Sequence, residues 1–245
     1  MPRDWDAATY DRISAPQTRW GRGVVDRLPL AGDERVLDAG CGTGRVTAML
    51  LERLPRGQVV ALDGSPAMID ETRRRFAGDS RVAPVVADLA QPLPLAAPVD
   101  AVLSTATFHW ILDHAALFRH LAAAVRPGGR LVAQCGGVGN IARVTAAVKA
   151  VDPAIRQAKN YATPEETTAH LTAAGFTDVQ VWLHPEPTRF EPGEPLETFL
   201  RTVILGDVLP GMPEARRDAF VHDVAARMEV PEIDYVRLNI DARRG

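Results

Sequence analysis

Short apolar runs alternate with helix-like segments between residues 35 and 135 of the chain. Each run is followed by polar or glycine residues before the next amphipathic segment, a pattern that predicts buried strands joined by helices. The predicted strands lie at 35–38, 58–62, 81–87, 99–105 and 130–135. Because successive parallel strands are joined by right-handed crossovers, this order predicts a mainly parallel, doubly wound α/β sheet.

Proline and glycine mark where the predicted elements begin and end. Ser65 followed by Pro66 predicts a helix start, since proline suits the first helical position. The Pro-Gly-Gly sequence at 127–129 ends an alanine-rich helix that we predict over 113–125. Pro84 lies inside the third predicted strand and favours an edge position, because proline cannot donate to a neighbouring strand.

The last third of the chain follows a different pattern. Residues 179–183 and 235–242 alternate like two further strands, and a proline-rich stretch and two helices lie between them. We therefore predict one domain built on a single seven-stranded sheet. Its parts are a lead-in or cap, a core and a helical insertion, at 1–30, 35–135 and 187–231 respectively.

Composition and charge narrow the class of protein. Hydrophobic residues make up 46% and charged residues 24%, as in ordinary globular domains. The 28 basic and 31 acidic residues give a net charge of −3, so no basic excess favours nucleic acid. The two cysteines, Cys41 and Cys135, fit a reducing compartment, and no apolar run approaches the roughly 20 residues of a membrane span. We expect a cytoplasmic protein without a nucleic-acid or membrane partner; its oligomeric state is left open.

The most informative segment is V-L-D-A-G-C-G-T-G-R at residues 36–45. A strand ends in an acid, turns through three alternating glycines and enters a helix. Such glycines let the backbone approach a ligand closely, and the helix start offers free N–H donors. A plain strand-to-helix turn is one alternative, and the dinucleotide fingerprint Gly-x-Gly-x-x-Gly is another. Against the fingerprint, the third glycine comes one position early and Arg45 stands where glycine is required.

In this segment the chain resembles the class I S-adenosylmethionine (SAM)-dependent methyltransferases, whose first strand ends in acid-x-Gly-x-Gly-x-Gly. The resemblance implies a Rossmann-like, seven-stranded, mostly parallel sheet with an antiparallel last strand. It implies SAM as the cofactor and S-adenosylhomocysteine as its product. The helical insertion at 187–231, which the strand count leaves between the last two strands, is predicted to form a lid over the cofactor face. The residues that the resemblance implies in cofactor binding are Asp38, Gly40, Cys41, Gly42, Gly44, Asp63, Gly64, Ser65, Met68, Ala87, Asp88, Leu89 and Thr105.

Two acids in this set have specific implied roles. Asp63 follows the second strand and would accept hydrogen bonds from both ribose hydroxyls, since its two oxygens match a vicinal diol. Asp88 follows the third strand and would accept from the adenine amino group. Leu89 would place a backbone N–H near the adenine ring, and Met68 would pack against the ring.

The segment S-T-A-T-F-H-W-I-L-D-H at 104–114 falls where the family places its substrate contacts. It lacks the Asn/Asp-Pro-Pro-aromatic box of enzymes that methylate nucleobase amines, and the two-glutamate loop of protein arginine methyltransferases. It is similar to the segment in trans-aconitate and malonyl-carrier O-methyltransferases. The resemblance therefore favours a small-molecule acceptor and a methyl ester. A carboxylate is ionised at pH 7, so orientation in line with the SAM methyl would suffice for an SN2 transfer without a base.

His109 is the predicted catalytic residue, either as a hydrogen-bond donor that orients a carboxylate or as a base for a phenol or amine. A packing role in the loop is its alternative. The other predicted substrate contacts are Tyr10, Trp20, Trp110 and Arg143. A guanidinium such as that of Arg143 pairs well with a carboxylate, although a solvated helix charge is the alternative. Tyr10 and Trp20 alternatively form an aromatic cap on the core.

Several functions stay open beside the carboxylate O-methyltransferase. One is an N-, C- or phenolic O-methyltransferase of a specialised metabolite, with His109 as base. Others are a nucleotide-dependent oxidoreductase and a SAM-binding protein without catalysis. We predict no metal site, because the acid and Asn-Asp ligand set of magnesium-dependent catechol methyltransferases is missing after the fifth strand.

Overall fold

A computed structural model of the protein describes residues 15–156 and 158–245, with side chains from residue 20 onward. Its strands are β1 (Arg35–Ala39), β2 (Gln58–Asp63), β3 (Val82–Val86), β4 (Val99–Thr105), β5 (Val125–Gly136), β6 (Phe176–Pro185), β7 (Thr188–Arg189), β8 (Glu232–Ile233) and β9 (Val236–Arg244). Its α-helices are α1 (Ala15–Arg27), α2 (Arg45–Arg53), α3 (Pro66–Arg75), α4 (His114–Ala124), α5 (Ala142–Val151), α6 (Pro164–Ala173), α7 (Glu194–Phe199) and α8 (Glu214–Ala226). Shorter helical turns are found at Phe108–Trp110, Leu200–Ile204 and Leu209–Gly211.

The main sheet has seven strands in the order β3-β2-β1-β4-β5-β9-β6. The strands from β1 to β5 pair in parallel, and β9 runs antiparallel to both β5 and β6. This arrangement confirms the prediction of a doubly wound, Rossmann-like sheet with an antiparallel last strand. Pro84 lies in β3 at one edge of the sheet, the position in which a residue without an N–H donor is tolerated.

The predicted start of β5 was five residues too late. α4 ends at Ala124, and the extended backbone of β5 begins at Val125 and includes the Pro-Gly-Gly sequence at 127–129. Between the pairs Val99–Val125 and Ala101–Arg130, β5 advances further than β4, so the intervening residues form an irregularity in the ladder. Gly128 has a φ of +78° there, a conformation that favours glycine.

Helices cover both faces of the sheet and bury its apolar side chains. On one face, Val24 and Val25 of α1 pack with Leu50 and Leu51 of α2 over β1 and β4. On the other face, α4 and α6 pack against β4, β5 and β9. No helix of the described residues is both long enough and apolar enough to cross a membrane.

The segment between β6 and β9 builds a second apolar cluster beside the sheet. Phe199, Leu200 and Phe220 of this segment pack with Val144 of α5 and with Trp20 of α1. β7, at the start of this segment, pairs in antiparallel fashion with β8, at its end. The sequence did not predict this ladder, because strands of two residues are too short to show an alternating pattern.

Candidate functional site

The carboxyl ends of the parallel strands open into a cavity of about 990 Å³. Ligands of open α/β sheets bind at this edge, where the strand order reverses. The loops that follow β1, β2, β3 and β4 form one part of the cavity wall. Another part is formed by Lys159 and Tyr161 and, from the insertion, by Val203, Ile204, Gly206, Asp207 and Pro210.

Most of the residues that the sequence implied in cofactor binding meet in this cavity. Those that line it are Gly40, Gly42, Asp63, Gly64, Ser65, Met68, Asp88, Leu89 and Thr105. They come from four different strand ends, which the parallel arrangement brings to one edge of the sheet. The glycine turn, the predicted ribose ligand Asp63 and the predicted adenine ligand Asp88 therefore lie along one cavity.

Two positions of the turn require glycine for different reasons. Gly40 has a φ of +84°, and a Cβ at this position would lie 2.1 Å from Thr107 Oγ1. Gly42 has a φ of +56°, but no heavy atom lies within 4 Å of a Cβ placed there. Gly40 is therefore required by protein packing, whereas the space beside Gly42 is open to a ligand.

Asp63 connects the glycine turn to the end of β2. Its Oδ2 accepts from the Gly42 N–H and its Oδ1 from the Ser65 N–H, each over 2.9 Å. A carboxylate has about four acceptor positions, so both oxygens can still accept from further donors. Burial raises the pKa of Asp63, and the backbone N–H donors oppose that increase. Asp88 similarly accepts from the Ala90 N–H over 2.9 Å while it lines the cavity.

Four residues of the implied cofactor set do not line the cavity. They are Asp38, Cys41, Gly44 and Ala87. Asp38 is fully buried behind the turn, where it accepts from Thr47 Oγ1 over 2.6 Å. Burial raises the pKa of Asp38 to about 7. The Cys41 N–H donates to the Leu62 carbonyl, and its side chain is buried, so its contribution is to the shape of the turn.

Some of the predicted substrate-binding residues line the cavity and others do not. Trp20, His109 and Trp110 line the cavity, whereas Tyr10 lies outside the described residues. Arg143 does not reach the cavity. It lies in the first turn of α5, half of its side chain is exposed, and its Nη1 pairs with Glu232 Oε1 over 2.9 Å. The alternative reading of Arg143 as a surface charge is the one that fits its position.

His109 is held in one protonation state by its surroundings. The Gly136 N–H lies 3.3 Å from His109 Nδ1. An amide N–H only donates, so Nδ1 carries the lone pair and the proton of the neutral ring is on Nε2. Burial lowers the pKa of His109 well below its usual value, and the charges of Arg237 and Lys159 lower it further. At pH 7 the ring is therefore neutral and offers Nε2–H as a donor.

Two buried cations at the acceptor end were missed by the sequence analysis. Arg237 lines the cavity with its Cζ 4.7 Å from the centre of the Trp20 ring. Lys159 Nζ lies 4.8 Å from the centre of the Trp110 ring and 3.1 Å from Asp207 Oδ2 of the insertion. Polar and apolar residues alternate in β9, so Arg237 and Asn239 fall on the same face of the strand. Polar residues on one face of a strand inside the sheet are a signal that could have indicated Arg237. Lys159 lies in an irregular loop, for which the sequence pattern gives no signal.

Tyr161 and Asn140 complete the wall beside His109. The ring of Tyr161 stacks on that of His109 with 5.8 Å between the centres. A Cβ on Gly136 would lie 2.7 Å from Tyr161 Cε1 and 2.8 Å from Asn140 Nδ2, so this wall requires glycine at residue 136. Within the described ranges, no three His, Cys, Asp or Glu side chains are grouped as a metal site would need.

Comparison with known proteins agrees with this geometry. Residues 36–129 match a family described as a methyltransferase domain. Trans-aconitate 2-methyltransferase of Methylobacterium nodulans is 40% identical over 131 residues, which cover 54% of this chain and 49% of that protein. The enzyme of the same name from Escherichia coli is 37% identical over 131 residues, with coverage of 54% and 50%. The chain thus matches about half the length of these curated relatives.

Solved structures share the fold over most of the chain. The YcgJ protein of Bacillus subtilis has a TM-score of 0.68 at 14% identity and covers 92% of this chain and 98% of its own. A phosphoethanolamine N-methyltransferase of Haemonchus contortus has a TM-score of 0.65 at 18% identity, with coverage of 97% and 56%. The family match over residues 36–129, with the glycine turn and the acids at the ends of the first three strands, shows that the chain carries a SAM-dependent methyltransferase domain; over about half its length it is similar to trans-aconitate 2-methyltransferases.

Proposed function

We propose that the protein transfers the methyl group of SAM to a carboxylate oxygen of a small acid. The observation that carries this proposal is that His109, whose Nδ1 accepts from the Gly136 N–H and whose Nε2–H remains a donor, lines the cavity together with the buried Arg237. Such a surface binds acids and disfavours cationic amines. The relatives named trans-aconitate 2-methyltransferase support the same class of acceptor.

SAM would occupy the half of the cavity that is formed by the glycine turn and the loops after β2 and β3. The open space at Gly42 would admit the amino-acid part of SAM close to the backbone. Asp63 would accept from the ribose hydroxyls and Asp88 from the adenine amino group, while Met68 and Leu89 would pack against the ring. The sulfonium would then face the acceptor half of the cavity.

Methyl transfer needs a nucleophile with a free electron pair in line with the S–CH₃ bond. The carboxylate oxygen forms the new O–CH₃ bond while the S–CH₃ electron pair returns to sulfur, which leaves a methyl ester and S-adenosylhomocysteine. No proton moves in this step. The chain therefore contributes binding, alignment and exclusion of water rather than a base.

The charge on the reacting oxygen decreases during transfer, so a fixed cation next to it would stabilise the reactant more than the transition state. The neutral Nε2–H donor of His109 suits this oxygen. Arg237 suits a second carboxylate, which keeps its charge throughout, whereas Lys159 is already paired with Asp207 over 3.1 Å. We therefore propose an acceptor with at least two carboxylates, bound through His109 at the reacting group and through Arg237 at the other.

A panel of acceptors tests this preference. With methyl-labelled SAM, we expect trans-aconitate and tricarballylate to have KM values at least about 10-fold below that of crotonate, which has a single carboxylate. Catechol and a primary amine serve as acceptors for the alternative functions. Faster labelling of either one than of any acid would reject the carboxylate assignment.

Substitutions at His109 separate an orienting donor from a base. His109→Gln keeps an N–H donor and should retain activity within about 10-fold, whereas His109→Phe should raise the KM of the acid roughly 10- to 100-fold. Wild-type kcat/KM should show no dependence on His109 ionisation from about pH 6 to 9, because a carboxylate acceptor stays ionised and His109 stays neutral over that range. A decrease of kcat/KM toward low pH, with a midpoint between pH 6 and 8, that is absent in His109→Gln would show that His109 acts as a base.

A further inference from the structure

A line of buried polar side chains runs along one face of β5 and β9 to the cavity. Gln134 and Asn239 lie directly opposite each other in the antiparallel register. Gln134 Nε2 donates to Asn239 Oδ1 over 2.9 Å, and Gln134 Oε1 accepts from Arg237 Nε over 3.4 Å. All three side chains are buried, but only Arg237 lines the cavity.

The far end of this line is anchored by α1. Arg27, the last residue of α1, donates from Nη1 to Asn239 Oδ1 over 2.5 Å and from Nη2 to the Ala133 carbonyl over 2.8 Å. The ring of Trp182, on the neighbouring strand β6, lies 5.0 Å from Arg27 Cζ. Arg27 therefore fixes both the Asn239 side chain and the backbone next to Gln134.

The chemistry of the two arginines determines the orientation of both amides. A guanidinium group only donates hydrogen bonds, so the oxygen of Asn239 must face Arg27 and the oxygen of Gln134 must face Arg237. The remaining contact is then a Gln134 N–H that donates to Asn239 Oδ1, which is the contact observed. The network has one consistent arrangement, and this arrangement presents an acceptor to Arg237 Nε.

A second contact from α1 restricts the same guanidinium. Trp20 places its ring 4.7 Å from Arg237 Cζ, and Tyr235 holds the Trp20 ring in an edge-on contact with 5.0 Å between ring centres. Arg237 is thus held by an amide at Nε and by an aromatic face. An arginine constrained in this way loses less side-chain entropy when it binds a ligand.

We propose that Gln134 and Asn239 are positioning residues that hold the Arg237 guanidinium in the geometry that binds the acceptor acid. This inference rests on the proposed function, since it takes the partner of Arg237 to be a carboxylate of the acceptor. Gln134 and Asn239 act only through Arg237. Their role is preorganisation of a binding group, which affects affinity for the acid rather than the methyl-transfer step.

Two variants of Gln134 separate positioning from general stability. Gln134→Met removes the amide at similar length and should raise the acceptor KM about 10-fold with little change in kcat or in the Kd for SAM. Gln134→Glu keeps an oxygen at Arg237 but adds a charge that competes with the acid, so its KM should exceed that of Gln134→Met. Ile240→Val, on the opposite face of β9, is the matched control and should lower Tm without a change in KM. KM values that follow Tm across the three variants would overturn the proposal.

A second readout does not depend on any acceptor. In ¹⁵N-labelled protein, the Arg237 Nε–H should exchange slowly with solvent in the wild type and in Gln134→Glu, and rapidly in Gln134→Met. Unchanged protection in Gln134→Met would overturn the positioning role, whatever the enzyme methylates. If the wild type binds no small acid but Gln134→Met loses protection, the network holds Arg237 and the assignment of the acceptor is what fails.

Discussion

Arg237→Gln should raise the KM for the acceptor acid about 100-fold, because it leaves the bound carboxylate without its buried, charge-assisted partner. The Kd for SAM should stay within about twofold, since the cofactor half of the cavity is formed by other strand ends. Steady-state kinetics with trans-aconitate and calorimetry with SAM measure the two quantities on the same preparation.

Arg143→Gln is the matched control for this experiment. It removes the same charged group from α5, where the side chain is half exposed and paired with Glu232. Glu232 also pairs with Arg189 over 3.0 Å and keeps that partner in the variant, so Tm should change little and the acceptor KM should stay at the wild-type value. Equal effects of the two substitutions on KM would indicate a general influence of charge and contradict a specific role for Arg237.

Asp63→Ala should weaken SAM binding about 100-fold, because it removes the acceptors for the ribose hydroxyls and leaves the Gly42 and Ser65 N–H groups without their carboxylate. Asp63→Asn keeps one acceptor oxygen and should have a smaller effect. Calorimetric titration with SAM and with S-adenosylhomocysteine gives the Kd values directly.

Asp79→Ala controls for the loss of a carboxylate that caps a backbone amide. Asp79 Oδ1 accepts from the N–H of Arg81, two residues later, as Asp63 Oδ1 accepts from Ser65. Asp79 is outside the cavity, so its substitution should leave the Kd for SAM unchanged. Weaker binding in Asp79→Ala than in Asp63→Ala would contradict the assignment of Asp63.

NADH serves as the competing ligand, and tighter binding of NADH than of SAM would favour an oxidoreductase.

The local parts of the fold could be predicted because their signals are local. β4 has the predicted bounds 99–105, and the glycine turn lies between β1 and α2 as its spacing indicated. Asp63 at the end of β2 and Asp88 after β3 line the same cavity as the turn, because parallel strands bring their carboxyl ends to one edge. The start of β5 was missed because Pro-Gly-Gly reads as a turn, whereas in the sheet it forms an irregularity in the β4–β5 ladder.

The acceptor half was harder to predict because its residues are distant in the chain. Trp20 belongs to the first described helix and Arg237 to the last strand, and they come together because α1 packs on the sheet beside β5, the neighbour of β9. Arg143 was predicted as a substrate contact because a guanidinium pairs well with a carboxylate, and Arg237 was not among the predicted contacts. The fold instead turns Arg143 outward to Glu232 and buries Arg237 beside Gln134.

The central claim is tested most directly by determining which kind of bond holds the transferred methyl group in the product. After incubation of the protein with methyl-labelled SAM and trans-aconitate, the labelled product should release methanol in mild alkali, as a methyl ester does. Arg237→Gln at the same acid concentration should form much less of it, and Arg143→Gln should form the wild-type amount. A labelled product that is stable to alkali, as an ether, amine or C-methyl compound would be, would contradict carboxylate methylation.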